Sequence, residues 1–286
     1  MYYALIILSV VLFGGCFVLN DVYQKMRGSS LKISLQFSFV SSLAGLVVLL
    51  VINGFRMEFT WFTLVLATVA SFVGFGFSFC GFRALGMINL SLYSLFSMLG
   101  GMALPFVQGI LFYGEGMSVA KAVCFVLISI ALLLTVEKGE KKNGTLYYIG
   151  IFVLNGMSGV LSKIFTEAPY AKTSAAGYSI WIALTSVLIS AFLLLVFFRG
   201  KDTAPSTPKS IGVGAVNGIT NRVANFMLVL ALAHVDASVQ YPMVTGGVMI
   251  VSTLICFFGK NKPSRKEVAS VVIAFMGLLA LFIIPA

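Results

Sequence analysis

The chain is a succession of apolar segments, each about 20 residues long, separated by short polar loops. A helix of roughly 20 apolar residues crosses the hydrocarbon core of a bilayer. We therefore predict an all-α polytopic membrane protein with ten transmembrane helices. The predicted helices cover residues 2–20, 31–52, 60–82, 88–112, 118–136, 145–166, 174–198, 209–232, 237–258 and 267–285.

Composition and charge support a protein of the plasma membrane. Charged residues make up 10% of the chain, whereas soluble domains carry about 25%. The first segment has no basic stretch before it and no small-residue cleavage site, which favours a retained helix over a signal peptide. The net charge of +10 belongs to short loops, where it is better explained by anionic lipid than by nucleic acid. The lipid bilayer is therefore an expected partner, and nucleic acid is not.

An internal repeat divides the chain into two halves. Residues 13–20 resemble residues 155–162, and a second, shorter match follows in the same order. The halves, 1–137 and 145–286, each hold five predicted helices. An odd number of helices inserts the second half in the opposite orientation to the first, so we predict two inverted five-helix repeats. This architecture is typical of secondary transporters, whose binding sites lie near the membrane midplane between the repeats.

The loop charges predict an orientation for the termini. Most of the nineteen basic residues lie in or next to the odd-numbered loops. Basic loops remain in the cytoplasm. The loop charges therefore predict that the odd-numbered loops are cytoplasmic and that both termini are outside.

Arg222 lies in the middle of the eighth segment, among three asparagines spaced four residues apart, Asn217, Asn221 and Asn225. On a helix these asparagines form a stripe, with Arg222 at its edge. A charge at membrane depth is costly and persists where it faces protein or water. We interpret the stripe as the wall of a polar cavity, in which Arg222 binds a substrate carboxylate or phosphate. The alternative is a structural arginine bonded to neighbouring helices, with the asparagines as interhelical hydrogen-bonding groups.

Several other segments also carry a polar face, as a shared central cavity requires. Small-residue packing between helices is the alternative reading of these faces. The predicted substrate-binding residues outside the eighth segment are Asn20 in the first, Tyr93, Ser97 and Gln108 in the fourth, Asn155 and Ser162 in the sixth, and Tyr241 and Thr245 in the ninth.

Two charged residues near segment ends carry weaker expectations. Glu115 is predicted to lie in the loop after the fourth helix, where it either holds a position or caps the following helix. Lys163 and Asp21 occupy matching positions in the repeat. They are either a pair of gate residues at the two mouths of a path or ordinary charges at the membrane interface.

Three short motifs resemble members of the drug/metabolite transporter superfamily, in particular its EamA-like ten-helix transporters. They are Phe112-Tyr113-Gly114-Glu115, the run from Phe82-Arg83-Ala84-Leu85 to Ile88-Asn89-Leu90-Ser91, and Tyr241-Pro242. The resemblance implies two EamA-like repeats and export by exchange or proton coupling. It also implies that both termini are cytoplasmic, which is opposite to the orientation that the loop charges predict.

The predicted function is secondary-active transport, as an exporter or exchanger, of a small polar metabolite such as an amino acid or organic anion by alternating access. Without a phosphate-binding loop of the Walker type, ATP is not expected to drive it directly. Efflux of lipophilic or cationic drugs is the alternative, and it would favour an acid in the cavity. Enzyme activity is not predicted, since the segment centres hold no paired acids; a lipid-handling protein, a scaffold and a channel are further alternatives. No cofactor is predicted, and the coupling ion or proton and the oligomeric state stay open.

Overall fold

The structure is a computed structural model that describes residues 1–28, 30–85, 90–134, 145–198, 207–258 and 264–284. These residues form ten helices. In chain order the helices are α1 (Tyr2–Arg27), α2 (Leu31–Ile52), α3 (Trp61–Leu85), α4 (Leu90–Tyr113), α5 (Val119–Leu134), α6 (Thr145–Glu167), α7 (Ala175–Phe197), α8 (Pro208–Leu232), α9 (Ala237–Phe258) and α10 (Arg265–Ile283).

Within the described residues, nine of these helices include a stretch long and apolar enough to cross a bilayer. The exception is α5, of which 16 residues are described. Many apolar side chains lie on the outside of the bundle, including Leu111, Phe192 and Leu195. An apolar exterior on long apolar helices is what lipid solvates, so the all-α multi-pass membrane class predicted from the sequence is confirmed.

The first helix is longer than predicted. It continues past residue 20 to Arg27, because the polar residues Gln24 and Lys25 extend the helix beyond its apolar part. It ends where Gly28 adopts a φ of 87°, a conformation that favours glycine. The starts of α7 and α8 have side-chain caps, because the hydroxyl groups of Ser174 and Thr207 accept backbone N–H groups there. These caps satisfy amides that have no partner within the helix.

The helices pack in a regular pattern. The first helix packs against α8 and α9, and α6 packs against α3 and α4. Similarly, α2 packs against α7 and α8, while α7 packs against α2 and α3. Two further contacts join α4 to α9 and α5 to α10. The main apolar core lies where α4, α5, α9 and α10 meet, around Met102, Ile128 and Met249.

The two ends of the bundle are named here by their loops. The even-loop end carries the turns 53–60, 114–118, 168–174 and 233–236, and the odd-loop end is the opposite one. Polar contacts join the turns at the even-loop end. The side chain of Ser174 donates to Glu58 at 2.9 Å, and Thr173 hydrogen-bonds Thr63 at 3.2 Å. The turn before α3 is thereby tied to the turn before α7.

Candidate functional site

A cavity with two lobes lies inside the bundle. The polar lobe, of about 370 Å³, is lined by α2, α3, α6, α7 and α8. The apolar lobe, of about 450 Å³, is lined by α1, α3, α4, α6, α8 and α9. The two lobes meet at a shared wall formed by Phe77, Ser158, Ser162, Asn221, Asn225 and Val229.

The polar lobe contains Arg222 and a set of hydroxyl side chains. Among the described residues that line either lobe, Arg222 is the one charged side chain. A guanidinium nitrogen donates to Ser42 Oγ of α2 at 3.2 Å. Gly45 of α2 makes room for the arginine stem, because a methyl group there would collide with it. The serines of this lobe are Ser34, Ser38, Ser71, Ser78, Ser158, Ser162, Ser179, Ser186 and Ser190.

The asparagine stripe divides between the cavity and a helix interface. Asn221 and Asn225 line both lobes, and the amide of Asn225 donates to the Asn221 side chain at 3.1 Å. Asn217 is buried against α1, where its amide donates to the Cys16 carbonyl at 3.1 Å and to Asn20 at 3.3 Å. A four-residue step on a helix turns by about 40° beyond a full circle. Over two such steps the stripe rotates from α1 towards the cavity.

Most of the other predicted residues line the apolar lobe. The structure brings Asn20, Ser97, Asn155, Ser162, Tyr241 and Thr245 together around it. Their polar atoms also bond across helices: Asn155 donates to the Ser97 carbonyl at 2.6 Å, and the Tyr241 hydroxyl donates to the Gly159 carbonyl at 3.1 Å. These side chains therefore both line the cavity and connect the helices that form it.

One predicted residue, Gln108, lies outside the lining of the cavity, and the side chain of another is not described. Gln108 is buried between α4 and α6, where its amide donates to the Val160 carbonyl at 3.4 Å. It lies nearer the even-loop end than Ser97, beyond the lining of either lobe. The side chain of Tyr93 lies outside the described residues, as does that of Asp21.

The cavity extends towards the odd-loop end. Its polar lobe is lined by Leu31, the first residue of α2, and by Ser34 one turn later. In α7 the lining continues to Ser190, in the half of the helix nearer the odd-loop end. The polar lobe therefore reaches this end of the bundle, whereas the apolar lobe extends in the opposite direction to Leu232, the last residue of α8.

A buried ion-pair cluster lies at the opposite, even-loop end. Lys163 of α6 is 4% exposed and Glu115 of the α4–α5 turn is 8% exposed. The Lys163 Nζ lies 2.9 Å from a carboxylate oxygen of Glu115 and 2.9 Å from one of Glu167. The two oxygens of Glu115 also accept the backbone N–H groups of Ala237 and Ser238, each at 2.8 Å. We call Glu115, Lys163 and Glu167 the charge cluster.

The charge cluster joins three helices at one point. Ala237 and Ser238 are the first residues of α9, so the carboxylate of Glu115 lies at the positive end of that helix. Glu115 lies in the loop after α4, as predicted, and it caps α9, far along the chain. Of the two roles considered for it, the cap on the following helix is wrong. Gly109 leaves space for the carboxylate, since a methyl group there would occupy its position.

The environment of Glu115 sets its protonation. Burial by itself raises the pKa of the carboxyl group, but hydrogen bonds from Ser238, Lys163 and Ala237 together outweigh it. The pKa of Glu115 consequently lies below its ordinary value of 4.5. The carboxylate is ionised at neutral pH, which keeps the contact with Lys163 ionic.

A second ion pair lies beside the charge cluster. Lys121 of α5 contacts Asp236, in the turn before α9, at 2.7 Å and also donates to the Gly116 carbonyl at 2.8 Å. The sequence analysis predicted neither the contact of Glu115 with the start of α9 nor the ion pair of Lys121 with Asp236. The one available signal was the placement of Glu115, Lys121 and Lys163 close to predicted helix ends, which does not specify their partners.

Comparisons with known proteins add information on the fold. No family model matches the sequence, and no curated protein is significantly similar to it. A solved crystal structure of another protein superposes with a TM-score of 0.76, covering 98% of this chain and 95% of that chain at 13% sequence identity. At this identity the likeness concerns the fold alone. The fold and the cavity define a multi-pass helical membrane protein with a central, partly polar cavity.

Proposed function

We propose that this protein is a secondary-active transporter that carries a small polar metabolite by alternating access. The observation that carries the proposal is a central cavity whose polar lobe reaches the odd-loop end of the bundle, while buried ion pairs join the helices at the even-loop end. Transporters that work by alternating access expose a central site to one side at a time. The charge cluster and the Lys121–Asp236 pair are the contacts that would break when the even-loop end opens.

The helix packing supports two inverted repeats of five helices, 1–137 and 145–286, as part of this proposal. Exchanging each helix with the one five places later converts the α1–α8 contact into α6–α3, and the α1–α9 contact into α6–α4. The same exchange converts α2–α8 into α7–α3, and it maps the α2–α7, α4–α9 and α5–α10 pairs onto themselves. All of these contacts are present. This pattern, with the motifs given above, also supports membership of the drug/metabolite transporter superfamily.

Efflux of cationic drugs is less well supported. The described lining of the cavity contains Arg222 and no acidic side chain. A cation would therefore meet a like charge in a region of low dielectric constant. On the orientation that the loop charges predict, the polar lobe lies towards the cytoplasm, which suits an exporter or exchanger that loads its substrate there.

Transport by the purified protein in liposomes tests the proposal. A panel of amino acids, organic acids and cationic dyes is offered without ATP, with protein-free liposomes as the control. We expect saturable, protein-dependent movement of an organic acid or amino acid. Movement of dyes alone would contradict the metabolite assignment, and movement of none would contradict a transport function.

Labelling of single cysteines tests the orientation. Cysteines are introduced at Lys141, in an odd-numbered loop, and at Phe55, an exposed residue of the α2–α3 turn, in a background without the native cysteines. A membrane-impermeant maleimide applied to intact cells should label the Phe55 position and leave the Lys141 position unlabelled. The reverse pattern would place both termini in the cytoplasm.

A further inference from the structure

The two lobes of the cavity differ in chemistry, and together they suggest the class of substrate. The polar lobe offers the Arg222 guanidinium and serine hydroxyls. The apolar lobe contains a group of aliphatic and aromatic side chains, namely Phe13, Met98, Leu228, Leu232, Val244 and Val248. The two lobes are adjacent, because residues such as Ser162, Asn221 and Asn225 line both.

The guanidinium of Arg222 has donors to spare. It offers five N–H groups, and among the described residues its hydrogen bond is to Ser42. The described acids, Glu58, Glu115, Glu167, Asp236 and Glu267, make no ion pair with it. A half-buried arginine without a carboxylate partner is stabilised by an anion that binds beside it, because two opposite charges attract more strongly where the protein shields them from water.

A cationic group on the substrate gains no such partner. The described lining of both lobes contains no carboxylate, so an ammonium group would enter a site whose net charge is already positive. An ammonium group that forms no ion pair retains much of its desolvation cost when it leaves water. The cavity therefore favours an anion over a zwitterion of the same shape.

We propose that the cavity binds an amphipathic organic anion, with its carboxylate or phosphate on Arg222 and its hydrocarbon part in the apolar lobe. This inference rests on the proposed transport function and narrows it, because it separates organic acids from amino acids. The hydrocarbon part contributes affinity in proportion to the apolar surface that it removes from water.

Calorimetric titration of the full chain in lipid nanodiscs tests the inference with four matched ligands. Hexanoate is the anion, norleucine is the corresponding zwitterion, hexylamine is the cation, and propionate is an anion with a shorter hydrocarbon part. Empty nanodiscs correct for partition into lipid, and hexyl phosphate compares the two anionic groups. We expect hexanoate to bind at least about tenfold more tightly than norleucine, hexylamine or propionate.

Two variants assign the two ends of the ligand. Arg222→Gln should weaken hexanoate and propionate alike, by about tenfold or more, because both lose a charge-assisted contact. Met98→Ala should weaken hexanoate and leave propionate unchanged. The thermal unfolding midpoints of the two variants show whether they are folded. The comparison of the ligands on the wild-type protein does not depend on either variant.

The outcomes separate this inference from the transport proposal. Binding of norleucine as tightly as hexanoate, or unchanged hexanoate affinity in a folded Arg222→Gln protein, would overturn the inference. If none of the ligands binds while the liposome panel still shows saturable transport, the inference is wrong and the transport proposal stands. If hexanoate binds as expected but no solute moves in liposomes, the site stands and the transport proposal is wrong.

Discussion

The central cavity and the charge cluster both hold a cation inside the helix bundle, but they stabilise it differently. Lys163 has two carboxylates within 2.9 Å, and one of them also caps α9. Arg222 has a serine hydroxyl, and the described residues supply it with no carboxylate. A charge paired inside the protein contributes to structure, whereas a charge left beside a cavity is available to a ligand. The two regions therefore differ in what removal of the cation should do.

The largest expected effect is the difference in stability between Lys163→Met and Arg222→Met. Loss of Lys163 leaves the carboxylate of Glu115 buried without its cation, which should lower the free energy of unfolding by about 3–5 kcal/mol. Loss of Arg222 leaves no opposite charge behind, so we expect a change within about 1 kcal/mol. Equilibrium unfolding in mixed detergent micelles measures both.

A matched pair of carboxylate variants serves as the control. Glu167 also contacts Lys163, but its side chain is 40% exposed. Glu167→Gln should therefore change stability by less than about 1 kcal/mol, and Glu115→Gln by clearly more. Equal losses in Lys163→Met and Arg222→Met would mean that Arg222 is also a structural cation.

A smaller effect is expected where α2 supports Arg222. Gly45→Ala places a methyl group against the stem of Arg222. This overpacking should cost about 1–3 kcal/mol and should weaken anion binding, because the guanidinium shifts. Gly74→Ala is the control, since Gly74 also lines the polar lobe and a methyl group there meets open space. Comparable effects of the two substitutions on binding would contradict this placement of Arg222.

Acid should lower the free energy of unfolding through the charge cluster, but by less than the loss of a whole side chain does. The pKa of Glu115 is lower in the folded protein than its ordinary value of 4.5, so the unfolded chain binds more protons near that pH. The stabilisation is therefore complete above about pH 4.5 and is lost as the pH falls through the folded-state pKa. Unfolding midpoints from about pH 6 to about pH 3 should fall more steeply for the wild-type protein than for Glu115→Gln. Parallel curves would show that Glu115 does not contribute to the acid sensitivity.

The smallest effect is expected at the second ion pair. Asp236 is 51% exposed, so water screens its attraction to Lys121. Asp236→Asn should change the free energy of unfolding by at most about 1 kcal/mol. Lys121 retains its bond to the Gly116 carbonyl in this variant. A loss as large as that of Lys163→Met would mean that the whole even-loop end depends on this pair.

The helices were predictable because their cause is local. A run of apolar residues long enough for a bilayer forms a helix whatever its neighbours, since every backbone group must be bonded within it. The boundaries were less predictable, as α1 shows, because polar residues such as Gln24 continue a helix beyond the membrane core. Asn221, Asn225 and Tyr241 were found from helical spacing and do line the cavity, but spacing did not distinguish Asn217, which faces α1.

The sequence by itself determined that this chain is a bundle of membrane helices with polar faces, because hydropathy and helical period depend on neighbouring residues. The tertiary structure decided which polar groups meet. Glu115 and Ser238 are 123 residues apart, and their contact depends on how α4, α6 and α9 pack. It also decided that Lys163 is neutralised within the protein while Arg222 lies beside a cavity, since the partner of a buried charge comes from another helix.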